Sequence, residues 1–142
     1  MSFEAELAAA CDEAIGTVER IRRAFVGKLC VMIIDRTPVL TGYLKGNWQA
    51  SIGAAEFDEV PRKTKSGGAT KAELLSVLAR LRGDETFYFS NNAPYVLVIE
   101  GLEIHSSGKV PASDKAPNGM VRISVAAATR LINEAIQENQ LT

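Results

Sequence analysis

One histidine and two cysteines leave few positions from which this chain could run chemistry. His105 stands beside Ser106 and Ser107, a neighbourhood that invites a nucleophile–base reading. A hydrolase elbow needs Gly-x-Ser-x-Gly at a strand-to-helix turn, and no such run accompanies this histidine. A solvated loop histidine is the favoured reading, with a hydrolase using His105 a distant third among the functions weighed. Zinc fares no better, because a lone histidine and two distant cysteines give no ligand spacing. The neighbours Asp12-Glu13 and Asp84-Glu85 read as helix-surface and turn residues rather than an acid–base pair.

The cations are more suggestive. Arg62, Lys63, Lys65 and Lys71 gather around Gly67 and Gly68, but a phosphate cradle needs Gly-x4-Gly-Lys-Ser/Thr after a strand. What remains is a solvated loop, or a patch that touches nucleic acid or an acidic partner. Phe87, Tyr88 and Phe89 invite comparison with a base-stacking sheet, yet no basic strand residues surround them, so core packing is expected of Phe87 and Phe89. No catalytic, cofactor-binding or metal-ligating set emerges, and the expectation is a protein that is not an enzyme and takes no cofactor.

At 142 residues the chain is expected to form a single domain, 1–142, with a real core. Its 46% hydrophobic and 23% charged residues are ordinary for a globular protein. A net charge of −1 excludes a global polyanion binder, so a nucleic-acid role needs a local patch. The longest uncharged apolar stretch, Leu29 to Ile34, is far below the ~20 residues of a membrane span, and no signal peptide opens the chain. A cytoplasmic site of synthesis without membrane contact is expected. Cys11 and Cys30 lie 19 residues apart on one predicted helix. That is ~28 Å at 1.5 Å per residue, so they are expected to be two separate buried thiols.

Those residues must be held by elements the pattern supplies. Residues 3 to 36 read as one long helix, with Ile15, Val18, Ile21, Phe25, Leu29 and Met32 on one face and Ser2 as its cap. Gly16 and Gly27 each suggest a bend or a close neighbour. Pro38 ends the run by pushing Thr37 out of helical geometry. Tyr43 to Ile52 reads as a strand, interrupted at Gly46 by a bulge or close approach. Residues 53–68 read as a mobile loop, Thr70 to Leu81 as a helix burying Leu74, Leu75, Val77, Leu78 and Leu81, and ETFYFSNN as a strand. Pro94 opens a short helix, Tyr95 to Glu100, which Gly101 closes in a left-handed cap. A second mobile stretch covers 102–118. Residues 120 to 139 finish as a helix with Val121, Val125, Ala128, Ile132 and Ile136 on one side, although Val121, Ile123 and Val125 also alternate like a strand. The resulting fold class is α+β: a small, mainly antiparallel sheet packed against the long N-terminal helix and a C-terminal helix.

The most distinctive wording carries no catalytic side chain. Thr37-Pro38 with Thr41-Gly42-x-Leu44, then Asn92-x-Pro94-Tyr95 leading to Glu100-Gly101, then Ala116-Pro117 to Arg122 follow in order across residues 15 to 135. This arrangement resembles the neck and tail-completion proteins, minor tail components of long-tailed, lambda-like bacteriophages. Related sequences often carry an aromatic between the glutamate and glycine that adjoin here, and the link from Leu102 to Lys115 is longer than usual. The resemblance implies a structural virion protein at the head–tail junction, assembled in the host cytoplasm into a six-fold ring. Its implied partners are further copies of itself, tail-tube and tail-terminator proteins, head–tail connector or stopper proteins, and DNA passing transiently through the channel. Ile104, His105, Lys109, Val110, Met120 and Arg122 are then the candidate subunit interface, and Arg62, Lys63, Lys65 and Lys71 the candidate channel or partner loop. The alternative is a small cytoplasmic nucleic-acid-binding module using the 62–71 loop.

Overall fold

A computed structural model describes residues 2–103, 106–108 and 113–139. Ser2 opens helix α1 (Phe3–Asp35), its hydroxyl accepting the Ala5 N–H at 3.2 Å, with Glu4 and Glu6 at the positive end of the dipole. The helix stops where the Thr37 N–H turns back to the Ile34 carbonyl, 3.1 Å away, just before Pro38. One turn of helix, α2 (Tyr43–Gly46), leads into β1 (Trp48–Ile52). Helix α3 (Gly68–Arg80), strand β2 (Phe87–Asn91) and short α4 (Val96–Glu100) follow. Two more helices, α5 (Val121–Val125) and α6 (Ala128–Asn139), complete the α+β fold.

The sheet is two antiparallel strands, with Trp48 opposite Asn91, Ala50 opposite Phe89 and Ile52 opposite Phe87. That register puts Trp48, Ala50, Ile52, Phe87 and Phe89 on one face. Trp48 and Phe89 stack there with ring centroids 4.9 Å apart. A two-stranded ribbon is marginal alone, so packing must hold it. Its core joins Ile33 and Ile34 of α1 to Leu74, Val77 and Leu78 of α3, with Met120 beneath α5. Helix α3 packs on β1, and α6 lies along α1, where Lys28 bonds Glu138 at 2.8 Å. Gly27 has the close neighbour its small size suggests, since a Cβ there would meet Leu78 Cδ1 at 3.2 Å, whereas at Gly16 a Cβ would make only an ordinary 3.5 Å contact with the end of the Arg20 side chain.

Several expectations are corrected. The strand expected from Tyr43 begins only at Trp48, because Gly42 takes a left-handed turn and the next four residues coil into α2. The expected helix over 120–139 is two helices, kinked at Ala126-Ala127, and the strand-like alternation at 121–125 is helical. Its buried side is Leu131 and Ala135, while Val125 and Ile132 are exposed. On α3, Leu75 faces solvent. On α1, the fully buried residues are Cys30, Ile33 and Ile34, one face round from the predicted stripe, and Ile15 and Val18 are bare. Cys11 is exposed, so only Cys30 is a buried thiol; burial pushes it up to about 12.

Candidate functional site

The first signature segment, TPVLTGYLKGNW, is held by long-range hydrogen bonds. The Trp48 indole N–H donates to Thr37 Oγ1 at 2.8 Å, and the Thr37 hydroxyl donates to the Ile33 carbonyl at 2.8 Å. This ties the strand to the last turn of α1 and satisfies both buried groups. Asn47 has no exposed surface: its amide donates to the Tyr43 carbonyl and its oxygen accepts the Val60 N–H, each at 2.8 Å. Arg62 reaches across to the carbonyls of Gly46 and Trp48, both at 2.8 Å, and pairs with Glu73. A Cβ on Gly46 would lie 2.0 Å from the Arg62 carbonyl, so only glycine permits this approach. Residues 53–67 are irregular, as their turn formers predict, and Gly68 already opens α3. These bonds make them a strap across α2 and β1.

The second and third signatures meet at Glu100. This carboxylate is only 6% exposed, yet it accepts the backbone N–H groups of Met120 at 2.6 Å, Val121 at 2.9 Å and Arg122 at 2.9 Å. It therefore caps the N-terminus of α5 from a position 20 residues earlier in the chain. Arg122 folds back to donate to the Glu100 carbonyl at 2.5 Å. Gly119, at φ 81°, leaves the space, since a Cβ there would sit 2.7 Å from Glu100 Oε1. Gly101 closes α4 in the expected left-handed cap, at φ 88°. Burial is the largest influence on the Glu100 carboxyl and raises its pKa. The three N–H donors and the Arg122 guanidinium together outweigh it and hold the carboxyl below its ordinary value.

With the signatures so engaged, the free surface lies elsewhere. From Phe3 to Ile15 every residue of α1 is exposed. Phe3, Leu7, Cys11, Ile15 and Val18 recur at steps of four and three, forming an apolar stripe flanked by Glu4, Glu6, Asp12 and Glu13. Just beyond the other end of α1, Pro38, Leu40, Tyr43, Tyr95 and Lys115 line an open groove of about 560 Å³. Leu40 is 90% exposed at its edge. A smaller apolar cavity, about 320 Å³, lies between Trp48, Phe89, Leu97, Leu102 and Met120.

The sequence-derived candidates scatter. Ile104, His105, Lys109 and Val110 fall outside the described residues. Met120 has no exposed surface and belongs to the core, so it offers nothing to a neighbouring subunit. Arg122 is half exposed but is committed to Glu100. In the basic loop, Arg62 pairs with Glu73, and Lys71 pairs with Asp35 at 2.6 Å. Lys63 and Lys65 are exposed. Sequence reasoning missed the α1 stripe above Ile15, although its spacing was visible, because helical periodicity does not say which half of a helix is covered. It missed the Glu100 cap because a donor set 20 residues away leaves no local signal.

Among the described residues no three His, Cys, Asp or Glu side chains gather as a metal site. No described helix is long and apolar enough to cross a membrane. No protein-family model, curated protein or solved structure matches this chain.

Proposed function

We propose that this chain is a structural subunit of the head–tail junction of a long-tailed bacteriophage, forming a ring that completes or terminates the tail and joins it to the head connector. The observation that carries the reading is the fate of the signature residues. Thr37, Gly42, Gly46 and Trp48 anchor one cross-link, while Glu100, Gly119 and Arg122 anchor another. Segments with no catalytic side chain thus serve a mechanical end: the first is tied to the end of α1 and to Arg62, and the second to the third. A body with an apolar stripe at one end and an apolar groove at the other is suited to repeated subunit contacts. The nucleic-acid alternative loses two of its four cations to Glu73 and Asp35.

Deleting the gene should leave filled heads and separate or aberrant tails, with infectivity restored by adding the purified protein. Normal infectious particles without it would end the proposal. Binding of the purified protein to DNA with a steep salt slope would favour the alternative.

A further inference from the structure

The N-terminal half of α1 is folded, apolar along one stripe and covered by no described element. Phe3 is 73% exposed, Leu7 52%, Ile15 58% and Val18 65%. Residues 2–18 carry Glu4, Glu6, Asp12 and Glu13 and no lysine or arginine. Two such stripes laid against each other would bring acid to acid, which disfavours a symmetric pair. The matching surface must be apolar and cationic.

The groove after α1 has both properties. Leu40, Tyr43 and Tyr95 supply apolar area, and Lys115 lines the wall. Lys63 and Lys65 stand on either side of Thr64, whose N–H donates to the carbonyl of groove residue Gly42 at 3.1 Å. Around this end of α1, Arg36, Lys63, Lys65 and Lys115 stand against Glu59 and Asp114, while Asp35 is taken up by Lys71. Stripe and groove sit at opposite ends of a 33-residue helix, about 50 Å long, so one chain cannot satisfy itself.

We infer that the acidic apolar stripe of one copy docks in the cationic apolar groove of the next copy, a head-to-tail contact that repeats around a closed assembly. The inference deepens the ring reading and rests on it for closure, but the contact itself needs only this chain. A heterologous contact of this kind generates rings when the rotation closes and filaments when it does not.

The native Cys11 lies on the stripe and is exposed, so it reports directly. In the full chain, Leu40→Cys places a thiol at the groove's edge. Mild oxidation by air and copper–phenanthroline should then link chains through Cys11 of one copy and the new thiol of another, identified by mass spectrometry. Cys11→Ser in the same background should abolish the band. Lys63→Glu with Lys65→Glu should weaken it, and mixing that protein with a Glu4→Lys, Glu6→Lys chain should restore it. Links between two Cys11 thiols would show a symmetric pair and overturn the inference. Failure to link at any protein concentration, with circular dichroism unchanged, would overturn it too. Because the assay uses purified protein alone, it is separable from the phage reading. Linked chains that never enter particles would sink that reading and leave the contact, whereas particle incorporation without linking would do the reverse.

Discussion

The two halves of α1 are both apolar enough to be buried, and only one is. Between Ile21 and Ile34 every residue is half-buried or buried, while from Phe3 to Ile15 every residue is exposed. The boundary falls where the turn after α3 reaches the helix. Glu19 accepts the Gly83 N–H at 3.1 Å, and Arg22 donates to the Gly83 carbonyl at 2.8 Å. Below that point α3, α5 and α6 enclose the helix; above it no described element returns. Periodicity makes a helix amphipathic, but burial depends on how far the rest of the chain reaches. The covered half folds the protein, and the bare half is the face to which we assign the contact with a second copy.

The sharpest contrast should come from placing the same charge in the two regions. Met120→Asp puts a carboxylate in the core with no partner and should leave the protein unfolded, at a cost of several kcal/mol. Leu7→Asp, on the bare half, should shift the urea midpoint by no more than about 0.5 kcal/mol equivalent. Circular dichroism and urea titration of both proteins would check this, and comparable destabilisation of the two would erase the distinction.

Next in size is Ile34→Ala, which removes a fully buried side chain from the covered half of α1 and should cost about 2–5 kcal/mol in urea unfolding. Ile15→Ala, the same chemical change on the bare half, should be near neutral.

The Glu100 cap adds a dependence on pH. Its folded pKa is lowered, so the unfolded chain binds the proton more readily. The cap's stability is therefore fully present above the unfolded pKa, near 4.5, and is lost as pH falls through the lower folded value. Glu100→Gln should destabilise by about 1.5–3 kcal/mol at pH 7 and flatten this part of the acid dependence. Urea unfolding of both proteins between pH 7 and 3 would show it. An unchanged acid slope in the variant would remove Glu100 from the account.

A smaller effect is expected at Thr37. Thr37→Val deprives the Trp48 indole of its acceptor at nearly constant volume and should cost about 1–2 kcal/mol. Its readout is the urea midpoint together with a shift in Trp48 fluorescence, and a neutral result would mean the indole finds another partner.

These contrasts follow the limits of what was legible. Ser2, Glu4 and Pro38 announce the ends of α1, and Gly101 announces the end of α4, because caps and breakers act within a turn of where they stand. The β2 strand and the α3 leucines were legible for the same local reason, apart from Leu75. Tyr43 misled because it, like Trp48 and Ile52, is of a residue type favoured in strands. The single turn α2 is fixed instead by Arg62 arriving at the Gly46 carbonyl from 16 residues away. The start of α5 and the placing of Met120 likewise depend on Glu100, which no local pattern links to them. Of the candidate surfaces, Lys63 and Lys65 could be read as exposed cations, but their Arg62 and Lys71 neighbours proved to be structural.

The central claim, that one half of α1 folds the protein and the other assembles it, is tested most directly by amide hydrogen exchange along that helix, in the free chain and in the assembled ring. The account predicts fast exchange from Phe3 to Ile15 and slow exchange from Ala24 to Asp35 in the free chain, with the first segment becoming protected on assembly. Equal protection of both segments in the free chain, or an N-terminal half that stays fast in the ring, would contradict it.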